Sequence, residues 1–575
     1  MTESMTTNRP NIQALKDRPH AEVLIIGGGV NGIATFRDLA LQGIDVALVE
    51  RDDYVSGASS ASSHMIHGGV RSLENGEFRL VKESVTERNR LVRNAPHFVK
   101  PLPTTIPIHR TISGILTAPF RLLVTHGRGK PRERGAALIK LGLVMYDTFS
   151  RDGGAVPRHR FHGRRRSREL FPDLDDRFRY TATYYDASMH DPERLALDVL
   201  RDGSREESAR AANYAPVVGA DGAAVIIRDA VTGDEFPFTA DVVVNTSGPW
   251  TDITNGALGA PTRFMGGTKG SHIVLDNPQL LEATRGNEIF FEAADGRIVL
   301  IYPLKGRVMV GTTDIDADPA TPTVCTDDEI SYFFDLIAQV FPHIAVDRTQ
   351  IVYTFSGIRP LPRHDDVAPG FVSRDYRIEK ARLGGPAGVP VMSLVGGKWT
   401  TFRALAEHLS TEVLAALGRP RRISTLDLAI GGGAGYPRTE ADRARWLDAH
   451  RGAHSVAFAD RMLERYGTYA AEILGTLPVN QRPLEHAPGY SAEEIAFLAE
   501  REEVVSLIDL LLRRTHIAFV GGVTAETLSE VAEAAAPVLG WDAEAVRAQA
   551  EDAARVLQER HRIDVQTSHL APLSA

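Results

Sequence analysis

The run GGGVNG at 27–32 has the glycine spacing of a dinucleotide-binding loop. It follows the short apolar run VLII at 23–26, which is typical of a buried parallel strand, and it precedes a helical pattern that closes at Gly43. The run DVALVE at 45–50 then predicts the next strand. A glycine-rich turn alone is often only structural, but this strand–turn–helix–strand order is typical of a nucleotide-binding βαβ unit.

Four positions of this unit have a distinct chemical role. Gly27 permits the tight turn, Gly29 lets the backbone approach a pyrophosphate, and Gly32 allows close packing of helix and strand. The helix N-terminus offers unpaired N–H groups and a partial positive charge to phosphates. Glu50, about 20 residues further on, accepts hydrogen bonds from both hydroxyls of a ribose, which argues against NADP. The alternative for Glu50 is a solvated strand end.

A second segment, SGASSASSHMIHGGVRSLENGEFRLV at 56–81, is rich in small hydroxyls and paired glycines. Its serine hydroxyls are candidates to bind phosphate or the edge of a flavin ring, and its paired glycines let the backbone approach a flat ring. A polar surface loop explains the serines but not the ordered HGG-x-R that follows. The candidates in this segment are Ser60, Ser62, Ser63 and His67.

A third segment, GGKWTT at 396–401, lies between a predicted strand and a predicted helix. The start of that helix would direct N–H groups at the pyrimidine edge of a flavin, where negative charge accumulates on reduction. This segment and the strand pattern at 241–245 lie far along the chain from the nucleotide loop. The separation suits FAD, whose binding domain is often interrupted by a substrate domain, better than a nicotinamide cofactor.

Six motifs, in this order along the chain, resemble the FAD-dependent glycerol-3-phosphate dehydrogenase family, within the wider group that is similar to D-amino-acid oxidase. They are SSASS with IHGGVR, NTSGPW, KGSHIVL, GTTD, SGIRPL and GGKWTTFR. The resemblance covers about residues 20–420 and continues more weakly through ERYG at 464–467 and LLLRRTH at 510–516.

The resemblance implies a flavoenzyme that oxidises glycerol 3-phosphate to dihydroxyacetone phosphate, with hydride passing from C2 to N5 of FAD. It also implies a set of cofactor-binding residues. They are Gly27, Gly29, Gly32, Glu50, Ser60, Ser62, Ser63, His67, Gly248, Gly397, Lys398 and Thr400. No metal site is predicted.

A phosphorylated alcohol needs cations for its phosphate and groups that hold the reacting carbon near the flavin. By resemblance, Arg359 and Lys398 contact the substrate and Arg71 helps to hold its phosphate. His272 in KGSH, which is also expected to bind substrate, and His67 in IHGG are the candidates for the base that takes the hydroxyl proton. The sequence does not choose between them. Isolated arginines are usually solvated and isolated histidines usually structural, but these five stand beside glycine-rich turns in the matching order.

Two residues depart from the family pattern. Ser72 stands where the family commonly has a tyrosine after the loop arginine, and the loss of that hydroxyl could weaken phosphate binding or shift the substrate. His64 stands where the family often has lysine. The departure at His64 concerns the local flavin contacts. The alternative functions on the same scaffold are an oxidase that makes hydrogen peroxide and an amino- or hydroxy-acid flavoenzyme of the same group.

The elements that must position these residues predict an α/β fold. We expect a Rossmann-type FAD-binding domain interleaved with a mixed or antiparallel-sheet substrate domain over 21–424, because alternating runs such as RIVLIYPL occur between about 262 and 380. The Ala-, Glu-, Arg- and Leu-rich segment at 425–575 predicts an all-helical C-terminal domain. Residues 1–20 are expected to be a flexible lead-in.

Composition narrows the functional class. The net charge of −9 argues against a dedicated nucleic-acid binder. The single cysteine, Cys325, cannot form an intrachain disulfide, which fits a reducing cytosol. Nothing in the first twenty residues resembles a signal peptide, and no apolar run is as long as the roughly 20 residues of a membrane-spanning helix.

Positive charge is concentrated in two segments of this acidic chain, PFRLLVTHGRGKPRERGAALIK at 119–140 and RHRFHGRRRSR at 158–168. Charge runs are usually solvated loops, but together with apolar Phe120 and Leu122 they could hold the protein on anionic lipid. The family resemblance implies a monotopic enzyme at the inner face of the plasma membrane that passes electrons to quinone. It also makes a homodimer plausible.

Overall fold

The computed structural model describes residues 9–69, 78–109, 147, 156–293, 298–363 and 376–565. The strands are β1 (His20–Ile26), β2 (Val46–Val49), β3 (Met65–Ile66), β4 (Val99–Ile108), β5 (Arg160–His162), β6 (Tyr180–Met189), β7 (Arg210–Ala212), β8 (Val217–Asp221), β9 (Ala224–Arg228), β10 (Glu235–Asn245), β11 (Met265–Leu275), β12 (Glu288–Glu292), β13 (Ile298–Leu304), β14 (Arg307–Gly311), β15 (Ile315–Asp316), β16 (Ile351–Pro362), β17 (Arg377–Leu383) and β18 (Val389–Val395).

The α-helices are numbered separately, also in chain order. The α-helices are α1 (Pro10–Asp17), α2 (Val30–Leu41), α3 (Phe78–Asn94), α4 (Arg164–Leu170), α5 (Pro192–Ser204), α6 (Thr251–Ala257), α7 (Pro278–Ala283), α8 (Asp327–Val340), α9 (Phe402–Leu417), α10 (Glu440–His450), α11 (Val456–Tyr466), α12 (Ala470–Thr476), α13 (Ala492–Arg501), α14 (Leu507–Asp509), α15 (Ile517–Val520), α16 (Ala525–Leu539) and α17 (Ala543–His561). Short 3-10 turns lie at Gly248–Trp250, Arg348–Gln350, Trp399–Thr401, Gly431–Gly433 and Gly467–Tyr469, and a π-turn lies at Leu510–Arg514.

The first sheet has eight strands. Six follow the order β17-β18-β10-β1-β2-β7 and are parallel except β17, and the β8–β9 hairpin joins β10 through the antiparallel strand β9. In the register, Ile26 pairs with both Asn245 and Val49, and Asn245 pairs with Ser393. The carboxyl ends of these strands therefore lie at one edge of the sheet, which is where ligands bind in open α/β folds.

Both faces of this sheet are covered, which explains the apolar runs that predict its strands. Helices α2, α5 and α9 bury their apolar side chains against one face. Helix α1 and the β8–β9 hairpin cover part of the other face. The predicted Rossmann-type domain is confirmed.

The second sheet has the order β15-β11-β14-β13-β12-β4-β6-β3, with β16 added beside β11 and β5 beside β6. It is antiparallel except where β12 meets β4. Helices α7 and α8 pack on one face around Phe333 and Ile337. The expectation of a mixed sheet between residues 262 and 380 is confirmed, and strands from earlier in the chain extend it.

The C-terminal part is helical, as predicted, and it shares a hydrophobic core with the second sheet. Val274, Met309 and Phe355 of the sheet belong to the same buried cluster as Met462 and Leu498 of helices α11 and α13. The helical domain thus covers the face of the sheet opposite α8. None of the helices in the described ranges combines the length and hydropathy that a membrane crossing would require.

The N-terminal segment differs from the expected flexible lead-in. Residues 10–17 form helix α1, and its Ile12 and Leu15 are buried against the first sheet. Arg9 forms an ion pair with Asp229, at 2.5 Å between Nη1 and Oδ1. The prediction of a loose lead-in is wrong for this stretch, because α1 packs on the first sheet and the ion-pair partner of Arg9 lies 220 positions away in sequence.

The glycine run at 431–433 leads from the first sheet to the helical domain through a narrow space. A Cβ on Gly432 would collide with the carbonyl oxygen of Tyr466, and one on Gly433 with the carbonyl oxygen of Asn94. The amide of Gly432 also donates to Asp198 at 3.0 Å. The absence of side chains here lets the connection pass between α3, α5 and α11.

We expect Gly432→Ala to lower the melting temperature, because the added methyl group must displace backbone, and such overpacking costs about 1–3 kcal/mol. The matched control is Gly475→Ala, at a helical glycine with no heavy atom within 4 Å of the added Cβ. That variant should keep or raise the melting temperature. Equal melting temperatures for Gly432→Ala and the wild type would contradict the packing described here.

Candidate active site

The nucleotide loop lies in a space that only glycine fits. Gly27 has φ +114°, and a Cβ there would be 2.7 Å from the carbonyl oxygen of Thr246. A Cβ on Gly32 would collide with the carbonyl oxygen of Gly27 and approach Thr246 Oγ1 to 2.6 Å. The first turn of α2 is therefore pressed against the end of β10, as expected for a loop that holds a pyrophosphate.

Gly29 and Glu50 have the predicted positions around this loop. Gly29 is the N-cap of α2 and provides no side-chain cap. Glu50 follows β2, and its carboxylate accepts the amide of Gly28 at 2.6 Å and that of Asp52 at 2.9 Å. Burial raises the pKa of Glu50, while the two amide hydrogen bonds oppose the rise. The carboxylate is thus fixed beside the nucleotide loop.

The serine-rich loop contacts the nucleotide helix and the GGKWTT segment at 396–401 through Ser59, a residue that the sequence did not single out. Its hydroxyl accepts the amide of Val30, the first residue of α2, at 3.0 Å. Its carbonyl oxygen accepts the indole N–H of Trp399 at 2.9 Å. The only signal in the sequence is membership of the serine run, which does not distinguish one serine from the next.

The three serines that the sequence singled out have protein partners. The hydroxyl of Ser60 donates to the carbonyl of Gly57 at 3.0 Å, and that of Ser62 accepts the amide of His64 at 3.4 Å. Ser63 Oγ lies 2.8 Å from Nε2 of His272. The loop therefore joins the cofactor side of the site to the second sheet, and contacts of these serines with a cofactor remain a prediction.

The HGG segment is anchored by a hydrogen bond to Asp186, which belongs to a buried ion pair. The amide of Gly68 donates to Asp186 at 2.9 Å, and Asp186 forms an ion pair with the fully buried Arg88 at 3.1 Å. The carbonyl oxygen of His67 accepts the hydroxyl of Thr400 at 3.2 Å. Arg71 and Ser72, which follow this segment, lie outside the described residues.

The second sheet presents His272 and Arg359 on one face. Side chains alternate between faces along a strand, and Thr268, Gly270 and His272 share the face on which Arg359 of β16 lies opposite Thr268. A Cβ on Gly270 would collide with the guanidinium of Arg359. Glycine at position 270 therefore gives Arg359 the space to lie flat on the sheet next to His272.

His272 is almost completely buried, with 2% of its surface exposed. Its ring stacks on Phe355, with 4.6 Å between centroids and 9° between planes. Burial lowers its pKa well below the usual range, and the positive charge of Arg359 lowers it further. Its Nδ1 atom is buried and has no hydrogen-bond partner within the described residues. The imidazole is thus neutral, is oriented by Ser63, and has one buried nitrogen without a hydrogen-bond partner in the described part of the chain.

Arg359 is oriented by the GTTD motif. Its guanidinium donates to Asp314 at 3.1 Å, to Thr312 Oγ1 at 2.8 Å and to the carbonyl of Thr313 at 2.9 Å. The side chain keeps 22% of its surface exposed. The cation is therefore held in a fixed orientation and remains accessible.

The GGKWTT segment at 396–401 has the predicted strand–turn–helix geometry. Gly396 and Gly397 have φ +95° and +120°, and a Cβ on Gly397 would be 2.5 Å from Asn31 Nδ2 of the nucleotide helix. Lys398 is half-buried and caps the turn Trp399–Thr401 that leads into α9. Gly248, in the TSGPW turn after β10, has φ +59° and no heavy atom within 4 Å of an added Cβ.

A buried carboxylate that the sequence analysis missed joins the motifs of the second sheet. Glu329, in the first turn of α8, accepts hydrogen bonds from Lys269 at 2.7 Å, Ser271 at 2.8 Å and Thr313 at 2.7 Å. Burial alone would raise the pKa of Glu329, but these donors and the amide of Thr326 lower it. Glu329 thereby fixes KGSH and GTTD relative to each other, and GTTD in turn orients Arg359.

The residues present fit a bound dinucleotide. Gly27, Gly28 and Gly29 carry no side chain that would keep a pyrophosphate from the backbone at the start of α2. Oδ1 of Asn31, at the start of α2, is buried without a hydrogen-bond partner in the part of the chain that the structure describes. Buried polar atoms are rarely left unsatisfied. The unused acceptor of Asn31, between the nucleotide loop and Gly397, is therefore consistent with a cofactor at this junction.

Two family models and several relatives match this chain. Residues 22–390 match the family of FAD-dependent oxidoreductases, and residues 423–546 match the C-terminal domain of alpha-glycerophosphate oxidase. A glycerol-3-phosphate dehydrogenase of Synechocystis is 32% identical over 87% of this chain and 89% of its own. A D-erythritol 1-phosphate dehydrogenase of Brucella abortus is 31% identical over 86% of this chain and 94% of its own.

The fold also matches a solved structure. Glycerol-3-phosphate dehydrogenase from Bacillus halodurans, complexed with FAD, has a TM-score of 0.71 to this chain at 21% sequence identity, with 96% of each chain covered. At this identity the likeness concerns the fold. It extends over both sheets and the helical C-terminal domain.

We expect Glu329→Gln to retain FAD and to lose about 10²-fold in kcat/KM for glycerol 3-phosphate, the substrate that the motifs imply. The amide cannot accept all the hydrogen bonds that the carboxylate accepts, so Thr313 and Arg359 shift, and a displacement of about 1 Å costs that much. Steady-state kinetics and the flavin-to-protein ratio measure the two effects.

The control is Asp328→Asn, at the neighbouring exposed residue of the same helix turn. It should leave both measurements unchanged. A Glu329→Gln enzyme with unaltered kcat/KM would contradict the positioning role.

Proposed function

The chain belongs to the FAD-dependent oxidoreductase family, and from this premise we propose that it oxidises the C2 hydroxyl of sn-glycerol 3-phosphate to the ketone of dihydroxyacetone phosphate. The observation that carries the proposal is the pairing of an accessible cation, Arg359, with a buried neutral imidazole, His272, on one face of the second sheet. When bound, FAD supplies the hydride acceptor at flavin N5.

We assign the base to His272 rather than His67. If Nε2–H of His272 donates to Ser63 Oγ, the lone pair of Nδ1 is free to accept the hydroxyl proton as the C2–H bond breaks and the carbonyl forms. The depressed pKa keeps this nitrogen unprotonated at neutral pH. Ser63 then has the role of fixing the tautomer, and Phe355 that of fixing the plane of the ring.

The substrate is the proposed partner of three cations: Arg71 binds its phosphate, and Arg359 and Lys398 bind its phosphate or its reacting end. A guanidinium offers two parallel N–H donors to a phosphate, and an ammonium acts as a compact charge. Asp314 and Thr312 hold Arg359 in place before substrate arrives, which reduces the entropy lost on binding. Whether Arg359 contacts the phosphate or the reacting end of the substrate stays a prediction.

A four-carbon polyol phosphate is the second candidate substrate. The relative named D-erythritol 1-phosphate dehydrogenase is nearly as similar to this chain as the glycerol-3-phosphate dehydrogenase, at 31% against 32% identity. Both molecules present a hydroxyl near a phosphate, so the same cations and base suit either. Ser72, which is smaller than the family's tyrosine, favours the longer substrate if it lines the pocket.

We further propose that membrane quinone is the electron acceptor and that the basic segments hold the enzyme at the anionic inner face of the plasma membrane. Segment 119–140 lies outside the described residues. In segment 158–168, the arginines at the start of α4 are exposed, with Arg165 at 94%. Glu169 pairs with Arg165 and Arg166, and Asp176 pairs with Arg168 at the end of the helix. The net positive charge of the segment is therefore reduced, and we propose a weak electrostatic contact with anionic lipid.

The anaerobic visible spectrum of the purified protein tests the substrate. We expect glycerol 3-phosphate to bleach the flavin band and glycerol and lactate to leave it unchanged, because only the phosphate ester engages the cations. Erythritol 1-phosphate is measured alongside, and a faster bleaching rate at equal concentration would reassign the substrate to the four-carbon polyol phosphate. A flavin band that neither phosphate ester bleaches would exclude both substrates. If hydrogen peroxide forms under air at the same rate as substrate is oxidised, the electron acceptor is oxygen and not quinone.

The pH dependence of kcat tests the base. Because burial depresses the pKa of His272, the imidazole stays neutral down to pH values below its ordinary pKa of about 6.5, and kcat should fall only below that pH. The profile is taken on kcat, since the phosphate ester itself titrates near pH 6 and enters kcat/KM. His272→Gln should lower kcat by about 10²–10⁴-fold, whereas His450→Gln, at an exposed histidine, should not. An acid limb centred above pH 6.5 would exclude His272 as the base.

A further inference from the structure

The helical C-terminal domain contacts the FAD-binding domain through a buried carboxylate. Asp53, three residues after Glu50, is completely enclosed and accepts two parallel hydrogen bonds from Arg514, at 2.7 and 2.8 Å. Arg513 also donates to Asp53, and Asn213 donates at 2.9 Å. Burial alone would raise the pKa of Asp53, but Arg514 and Arg513 hold it well below the usual range, so the charge is retained.

The next residue makes a second bond to the helical domain and touches the nucleotide loop. The hydroxyl of Tyr54 donates to Glu503 at 2.7 Å. Its ring lies against Gly28, where an added Cβ would be 3.0 Å from Cδ1. The amide of Val55 donates to the carbonyl of Gly28 at 2.9 Å, and the amide of Gly28 donates to Glu50. The turn at 50–55 and the nucleotide loop are therefore interlocked.

From these contacts we propose that the helical C-terminal domain clamps the adenosine end of the FAD site, acting through Arg514–Asp53 and Glu503–Tyr54. Glu50, the proposed partner of the ribose, stands on the turn that these residues hold. The inference rests on FAD as the cofactor and is independent of the substrate. Arg513, Arg514 and Glu503 do not touch the ribose in this arrangement, so they are positioning residues.

The physical argument is one of preorganisation. A turn held in its binding conformation spends less conformational entropy when the ligand binds. Without Arg514, Asp53 would be a buried charge with fewer partners, which favours opening of the turn. Glu50 would then lose its fixed distance from Gly28. Because coupling between two sites is reciprocal, bound FAD must in turn tighten the docking of the helical domain.

The test is the dissociation constant of FAD, measured by titrating deflavinated full-length protein and following flavin fluorescence. Arg514→Gln should raise it at least about tenfold, the effect of losing a charged hydrogen-bonded pair. Tyr54→Phe keeps the ring against Gly28 and loses only the bond to Glu503. It should raise the constant by about three- to tenfold and keeps the proposal testable if Arg514→Gln does not fold.

Two variants provide matched controls. Arg307→Gln removes a buried hydrogen bond to the carbonyl of Val520, between the second sheet and the helical domain. Tyr466→Phe removes a buried tyrosine–glutamate bond, to Glu494, within the helical domain. Both should change the dissociation constant of FAD by less than about twofold. The reciprocal measurement is hydrogen exchange at 503–514, which should slow when FAD is added to the wild type and should slow less in Tyr54→Phe, which keeps only the Arg514–Asp53 contact.

An unchanged dissociation constant in Arg514→Gln and Tyr54→Phe would overturn the clamp. An equal increase in the control variants would overturn it as well, because the effect would then be a general loosening of the protein. The substrate assignment does not enter either result: a protein that fails to be reduced by glycerol 3-phosphate still reports its affinity for FAD.

Discussion

Residues 57–69 must touch three separately folded surfaces at once, and the site depends on that constraint. The loop forms hydrogen bonds with the nucleotide helix and with the GGKWTT segment through Ser59, and with the second sheet through Ser63. Ala61 packs directly on Gly357 of β16, where any side chain at position 357 would collide. Small residues are needed because larger ones would push the surfaces apart. The small residues that predict a ligand site in this loop are therefore also required for its packing between the three surfaces.

Buried carboxylates convert this packing into fixed geometry. Asp186 holds the HGG segment through Gly68, Glu329 holds KGSH and GTTD, and Asp53 holds the turn after Glu50. Each has several donors, which is the condition under which a buried charge is tolerated. A carboxylate with several partners joins distant segments at defined angles, which apolar contacts do not impose. The groups that would meet substrate and cofactor are therefore oriented before either arrives.

The helical domain is part of this arrangement rather than an appendage. It shares a core with the face of the second sheet that carries His272 and Phe355. It also supplies Arg514 to the turn next to the nucleotide loop. Both halves of the site therefore contact this domain, the second sheet through a shared core and the turn at 50–55 through buried ion pairs.

The sequence by itself determined the parts that depend on local spacing. The glycines at 27–32, the apolar strands and the order of six motifs predict the Rossmann-type fold, the mixed sheet, the helical C-terminal domain and the class of cofactor. Tertiary structure alone decided which serine bonds to which surface, that Gly270 makes room for Arg359, and that helix α1 is anchored. It also decided that Glu329 joins KGSH to GTTD and that Arg514 pairs with Asp53, 461 positions away in sequence. Periodicity and turn chemistry are encoded over a few residues, whereas the partner of a buried charge is set only when distant segments meet in the fold.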